Sequence, residues 1–199
     1  MAKRGLNDEE LRALAKEVGG TRVVRRILAG TTLVVTKPLQ KTSRPARMTQ
    51  GKPVLLPAIP RFVTEEAFRV RSNGEVPIRR FGKKFRERFL PLVERKVPAA
   101  ALRGDKLAKD SSDGSILATV GADIATRKRA RVFLAHVFEF LKTADTSKWY
   151  MCYAVDAYGL VGALDIDYMK GGWGIEAIDV PDGDEWPADF HFLHYCFTT

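Results

Sequence analysis

Two aspartates one residue apart, Asp165 and Asp167, are the residues of this chain whose type and spacing most directly suggest chemistry. Successive side chains of a β-strand alternate between faces, so both carboxylates project from one face while Leu164, Ile166 and Tyr168 take the other. Paired carboxylates hold a divalent cation, and neighbouring strands would add Asp156 and Glu176 to the cluster, with Lys170 near a phosphate. That constellation describes a metal-dependent nuclease or nucleotidyl transferase. Asp165 and Asp167 would be catalytic, Asp156, Asp165, Asp167 and Glu176 the metal ligands, and Mg²⁺ or Mn²⁺ the cofactor. The same alternation also fits an antiparallel sheet with one solvated face, which needs polar residues at every second position and no cofactor. No GxxxxGK[ST] segment occurs, which excludes a P-loop nucleotide hydrolase.

His191, His194 and Cys196 form a second group with metal or nucleophile chemistry, but a regular strand turns His191 away from the other two and leaves only two ligands on one face. No GxSxG elbow is present. The expectation is hydrogen-bonded histidines and a structural thiol, with His136, inside the apolar run Val132 to Leu141, a core histidine as well. Cys152 and Cys196 lie too far apart for a CxxC zinc site and read as reduced, buried thiols, with a cross-strand disulfide as the alternative.

Charge divides the chain. Residues 1–131 hold 30 of the 33 Lys and Arg against 13 of the 24 Asp and Glu, a net +17, which leaves the last 68 residues at −8. A basic segment of this size suits a polyanion, because phosphate neutralisation releases counterions whatever the sequence. No apolar run approaches the roughly 20 residues of a membrane span, and the N-terminus lacks the apolar stretch of a secretory signal, so an intracellular setting, cytoplasmic or within a nucleoprotein particle, is expected.

The elements that would position these groups follow from periodicity. Asn7 caps a first helix ended by Gly19-Gly20, and Thr21 caps a second, Arg22 to Ala29, so residues 1–36 read as a helical hairpin plus a short strand. The run Leu14 to Gly30 resembles the helix-turn-helix segment of bacterial repressors, which implies that Arg22, Arg25 and Arg26 face nucleic acid; an ordinary helical hairpin has the same pattern. Residues 37–60 contain five prolines among cations that include Lys41, Arg44 and Arg47, and read as a basic arm or linker without regular structure. Residues 61–109 read as a basic helical region. Its densest part, Pro77 to Pro91, spaces Phe81, Phe85 and Phe89 along one helical face and leaves Arg79, Arg80, Lys83, Lys84, Arg86 and Arg88 as a phosphate-contacting stripe.

Gly104 to Gly114 reads as a boundary loop, and Ile116 to Val120 as a strand. Residues 115–199 then hold a helix from Asp123 and four strands: Trp149 to Tyr158, Leu160 to Met169, Trp173 to Val180 and Phe190 to Phe197. The expected fold class is α+β, an N-terminal helical hairpin and basic helical region with a C-terminal helix packed on a four-stranded antiparallel meander. The expected function is non-catalytic nucleic-acid binding, DNA or RNA, or nucleoprotein assembly, with self-association or a larger assembly as further partners and no cofactor. The metal-dependent enzyme and a structural subunit of a virion or other large particle are the alternatives.

Overall fold

Strands dominate wherever β-branched and aromatic residues alternate with polar ones, and they also appear in several stretches whose sequence suggests otherwise. The computed structural model of the chain describes residues 44–70, 74–121, 130–178 and 185–196. Its elements begin with β1 (Met48–Thr49), β2 (Val54–Leu56), β3 (Ile59–Val63) and helix α1 (Thr64–Ala67). Then β4 (Ile78–Phe81) runs through Gly82 into α2 (Lys83–Arg88), followed by β5 (Val93–Val97), β6 (Ala100–Leu107), β7 (Ser111–Ser112) and α3 (Asp113–Thr119). Helix α4 (Leu134–Leu141) precedes β8 (Tyr150–Val155), β9 (Val161–Met169), β10 (Gly172–Ile178), β11 (Glu185–Trp186) and β12 (His191–Tyr195).

Eight strands make one mixed sheet in the order β1, β6, β12, β8, β9, β10, β4, with β2 also paired to β6. The β12–β8 and β10–β4 pairs are parallel and the rest antiparallel. Lys170 and Gly171, both at positive φ, form the two-residue turn that sets the β9–β10 register, as a right-twisted hairpin requires. One sheet face is covered by α1, α2, α4 and the separate β3–β5 ribbon, through Phe62, Phe68, Phe85, Phe89, Phe138 and their neighbours. On the opposite face α3 and the β7–β11 ribbon bury Met151, Tyr153 and Phe192 under Ile116, Leu117 and Trp186. Helix α4 is buried along nearly its whole length. Its N-cap residue, Phe133, makes no side-chain cap, and Glu94 of β5 accepts the Leu134 and Ala135 amides at 2.9 and 2.8 Å instead.

This predominantly β architecture overturns the α+β expectation. The basic helical region of residues 61–109 contributes β3, β4, β5 and β6, and helix only at α1 and α2. Between Pro77 and Pro91 the helical spacing of the phenylalanines competes with an open edge on β10, and the edge takes Ile78, Arg80 and Phe81 as a parallel strand. Gly82, extended at φ −64° and ψ 155°, marks the change to helix, so only the second half of that segment is helical. The three rings still stack, at centroid distances of 5.3 and 5.6 Å. Gly104 lies within β6 rather than in a loop, and Ile116 lies in α3, which Ser112 caps, rather than in a strand.

The C-terminal meander is three strands, not four. β12 returns on the far side of β8, parallel to it, and is antiparallel to β6. The arm read over residues 37–60 supplies β1, β2 and the first residues of β3 where it is described. The described residues all fall within one compact unit, Ser43–Thr199. The helical hairpin, its repressor-like segment and the first turns of the helix read from Asp123 lie outside the described residues.

Candidate functional site

Strand β4 and helix α2 carry the described part of the cationic stripe. Ile78, Phe85 and Phe89 are buried, whereas Arg79, Lys83, Lys84 and Arg86 are exposed, so burial of the apolar residues orients the charges outward. Arg80 and Arg88 differ from the others. The Arg80 guanidinium reaches back across Gly174 to Asp167 at 3.3 Å, and Gly174 permits this because a Cβ there would lie 2.4 Å from the carboxylate and 2.9 Å from Arg80 Nε. Arg88 donates to Asp156 at 2.7 Å, with a side chain only 19% exposed, and lies 5.7 Å from the Phe89 ring centre. Arg79 donates to the Lys170 carbonyl at 3.2 Å. Together with Arg80, Met169, Lys170, Gly172 and Gly174 it lines a pocket of about 220 Å³ beside the β9–β10 turn.

The apolar cover on the second sheet face ends at Val161, Ala163 and Ile178, and further along β9 and β10 that face carries Asp165, Asp167 and Glu176. Asp165 sits directly opposite Glu176 and two residues from Asp167. Burial pushes its carboxyl up to about 6; Asp167 and Glu176 push the same way, and Arg80 and the Ile166 amide only partly oppose them. Its buried Oδ1 has no hydrogen-bond partner among the described residues.

Asp156 does not join this group. The β8–β9 register sets Asp165 opposite Met151, five residues from Asp156, or about 16 Å at ~3.3 Å per residue. Asp156 instead accepts the Tyr158 and Leu160 amides at 2.9 and 2.8 Å, shaping the β8–β9 turn while it holds Arg88. Among the described residues no group of three or more His, Cys, Asp or Glu is arranged to hold a metal ion.

His194 and Asp105 form a buried pair that the sequence pattern did not reveal. His194 Nε2 lies 2.9 Å from Asp105 Oδ2, and Asp105 also accepts from Arg103 and from the Gly51 amide. Burial raises the Asp105 carboxyl, but the hydrogen bonds from His194 and Gly51 and the nearby Arg103 guanidinium outweigh it and hold the group below its usual range. The signal was not local, since Asp105 and His194 are 89 residues apart. His136 is buried with Nδ1 at 2.8 Å from the Tyr195 hydroxyl. Burial pushes its pKa down; the carbonyls of Pro57 and Pro98 oppose this without giving Nε2 a well-formed hydrogen bond. Cys152 is a fully buried free thiol, pushed up by desolvation, and Cys196 is half-buried and free.

Of the other sequence-selected cations, Arg44 and Arg47 are exposed; so are Arg61, Arg95 and Lys96, which the sequence reading did not select, and Arg61 faces Arg95 across the β3–β5 ribbon. Arg22, Arg25, Arg26 and Lys41 lie outside the described residues. No described helix is long and apolar enough to cross a membrane. The chain matches no known protein family, no curated protein and no solved structure.

Proposed function

We propose that this protein binds nucleic acid, DNA or RNA, and that the exposed cations of β4 and α2 are its principal phosphate contacts. The observation that carries the reading is the division of that segment: Phe85 and Phe89 are buried in the core and Phe81 packs against it, while Arg79, Lys83, Lys84 and Arg86 are exposed to solvent. The Arg61–Arg95 pairing supports it, because like charges directly opposite on a ribbon repel and a bound anion relieves the repulsion. The reading suits work inside a cell or a nucleoprotein particle, alone or as part of an assembly. The enzyme alternative, with Mg²⁺ or Mn²⁺ on the strand carboxylates, has weaker support, because Arg80 engages Asp167, Arg88 engages Asp156, and Asp156 is remote from Asp165.

Fluorescence anisotropy with labelled single-stranded and duplex oligonucleotides, titrated over salt, tests the proposal. Binding should weaken linearly in log–log form, and the R79E/R86E double variant should lower the slope by about 0.7–0.9 for each phosphate it no longer neutralises. Absence of binding at low salt, or a slope that the double variant leaves unchanged, would refute it.

A further inference from the structure

Away from β4 and α2, at the end of the sheet where β6, β8 and β12 meet, lies a cavity of about 420 Å³. Its size falls within the range of roughly 300–1,000 Å³ common for small-ligand sites. Four features of its lining point to one kind of occupant. Trp149 is 52% exposed, although tryptophan ordinarily buries most of its ring area. Its orientation is fixed by an edge-to-face contact with the buried Phe190 ring, at 5.3 Å and 82°, so an aromatic surface is presented with little freedom left to lose. Two ammonium groups flank the cavity. Lys106 is held opposite His191 by the β6–β12 register, and Lys148 immediately precedes Trp149. Both are partly exposed and, among the described residues, ion-paired only with the exposed carboxylates Asp189 and Asp145, which an incoming phosphate can displace at small cost.

The fourth feature is His191 itself. Its Nδ1 is buried without a well-formed hydrogen bond, and the Trp149 and Asp189 carbonyls lie against the ring. Burial, with the charges of Lys148 and Lys106, pushes its pKa down against the opposing Trp149 and Asp189 carbonyls, which favours the uncharged ring with one donor and one acceptor nitrogen. The backbone is equally set: the His191 amide donates to the Trp149 carbonyl at 2.8 Å, and Asp189, at φ 75°, turns the chain into β12.

We infer that this cavity receives one nucleotide of a single strand, its base stacked on Trp149 and its phosphate between Lys106 and Lys148, with the His191 ring in the wall. The inference rests on the nucleic-acid reading above and adds to it a preference for unpaired bases, since a base inside a duplex has no free face to stack.

The test compares a labelled oligothymidylate with a duplex of equal length for the full chain and for W149A, W149F and K148E. W149A should weaken oligothymidylate binding about tenfold or more, the loss typical of one stacked base, and leave duplex binding unchanged. W149F, which keeps an aromatic face, should retain most of the affinity. K148E should weaken the single-strand complex even though Trp149 is intact. If the wild-type chain binds both ligands and W149A binds oligothymidylate as tightly as wild type, this inference fails and the nucleic-acid reading stands. If neither ligand binds at low salt, both fail. Competition by polyglutamate as strong as that by unlabelled oligothymidylate would also overturn the inference, since it would show charge without stacking.

Discussion

Replacing Asp165 by Asn should stabilise the protein above about pH 6 and do little near pH 4. Asp165 is desolvated on the second sheet face, with Glu176 directly opposite and Asp167 beside it. Its carboxyl is displaced from 3.8 to about 6, so the folded protein holds that proton more tightly than the unfolded chain does. The stability this gives is fully present below the unfolded value and is lost as the pH rises through the folded one, leaving an ionised carboxylate among like charges. At ~1.4 kcal/mol per tenfold the displacement amounts to about 3 kcal/mol. Partial solvent access screens it to about 1–2 kcal/mol. Asn removes the charge and offers an amide to the neighbouring carboxylates. Urea denaturation of wild type and D165N, followed by tryptophan fluorescence between pH 4 and 8, gives the difference curve. It should be near zero at pH 4, rise between pH 4 and 6, and level off at about 1–2 kcal/mol above. A flat curve, or a variant less stable than wild type at pH 8, would refute the account of Asp165 as an uncompensated carboxylate.

Asp156→Ala strips a buried partner from Arg88 and removes the acceptor that shapes the β8–β9 turn, and should cost about 3–5 kcal/mol in urea denaturation. Gly174→Ala places a methyl group against Asp167 and Arg80 and should lower thermal stability by about 1–3 kcal/mol; in an Arg80→Ala background part of that cost should vanish, a coupling that a double-mutant cycle reads directly.

How much of this was legible in the sequence depended on how local each determinant is. β8, β9 and β10 follow from alternation and from turn residues that sit where the turns are, with Gly159 and Gly171 at positive φ. The shared face of Asp165 and Asp167 follows from the same period. Periodicity does not specify neighbours, and so the strand near Phe190 to Phe197 was readable while its parallel pairing with β8 was not. The phenylalanine spacing was misleading for a physical reason: positions 81, 85 and 89 gain a common face in a helix, but the open edge of β10 offers backbone hydrogen bonds that a helix there would leave unused. Tertiary pairing of this kind overrides local propensity. The partners of the carboxylates were equally hidden, because Arg80 and Asp167 are 87 residues apart and Arg88 and Asp156 are 68 apart.

Those two arginines also change what the charge asymmetry means. The basic part of the chain engages some of its cations with carboxylates: the largely covered Arg88 on Asp156 and Arg103 on Asp105, and the half-exposed Arg80 on Asp167. The charge available to meet a polyanion is therefore smaller than the sequence count, and it is also more localised. On β4 the exposed Arg79 stands beside the half-exposed Arg80, and on α2 the inward turn of Arg88 leaves Arg86 exposed. The same pairings leave Asp165 without an ion-pair partner among the described residues, beside the exposed Glu176. Under the nucleic-acid proposal, a phosphate backbone approaching this edge of the sheet would meet cations on β4 and α2 and repulsion from Asp165 and Glu176, and the carboxylates that first suggested a metal site would limit where a strand can lie.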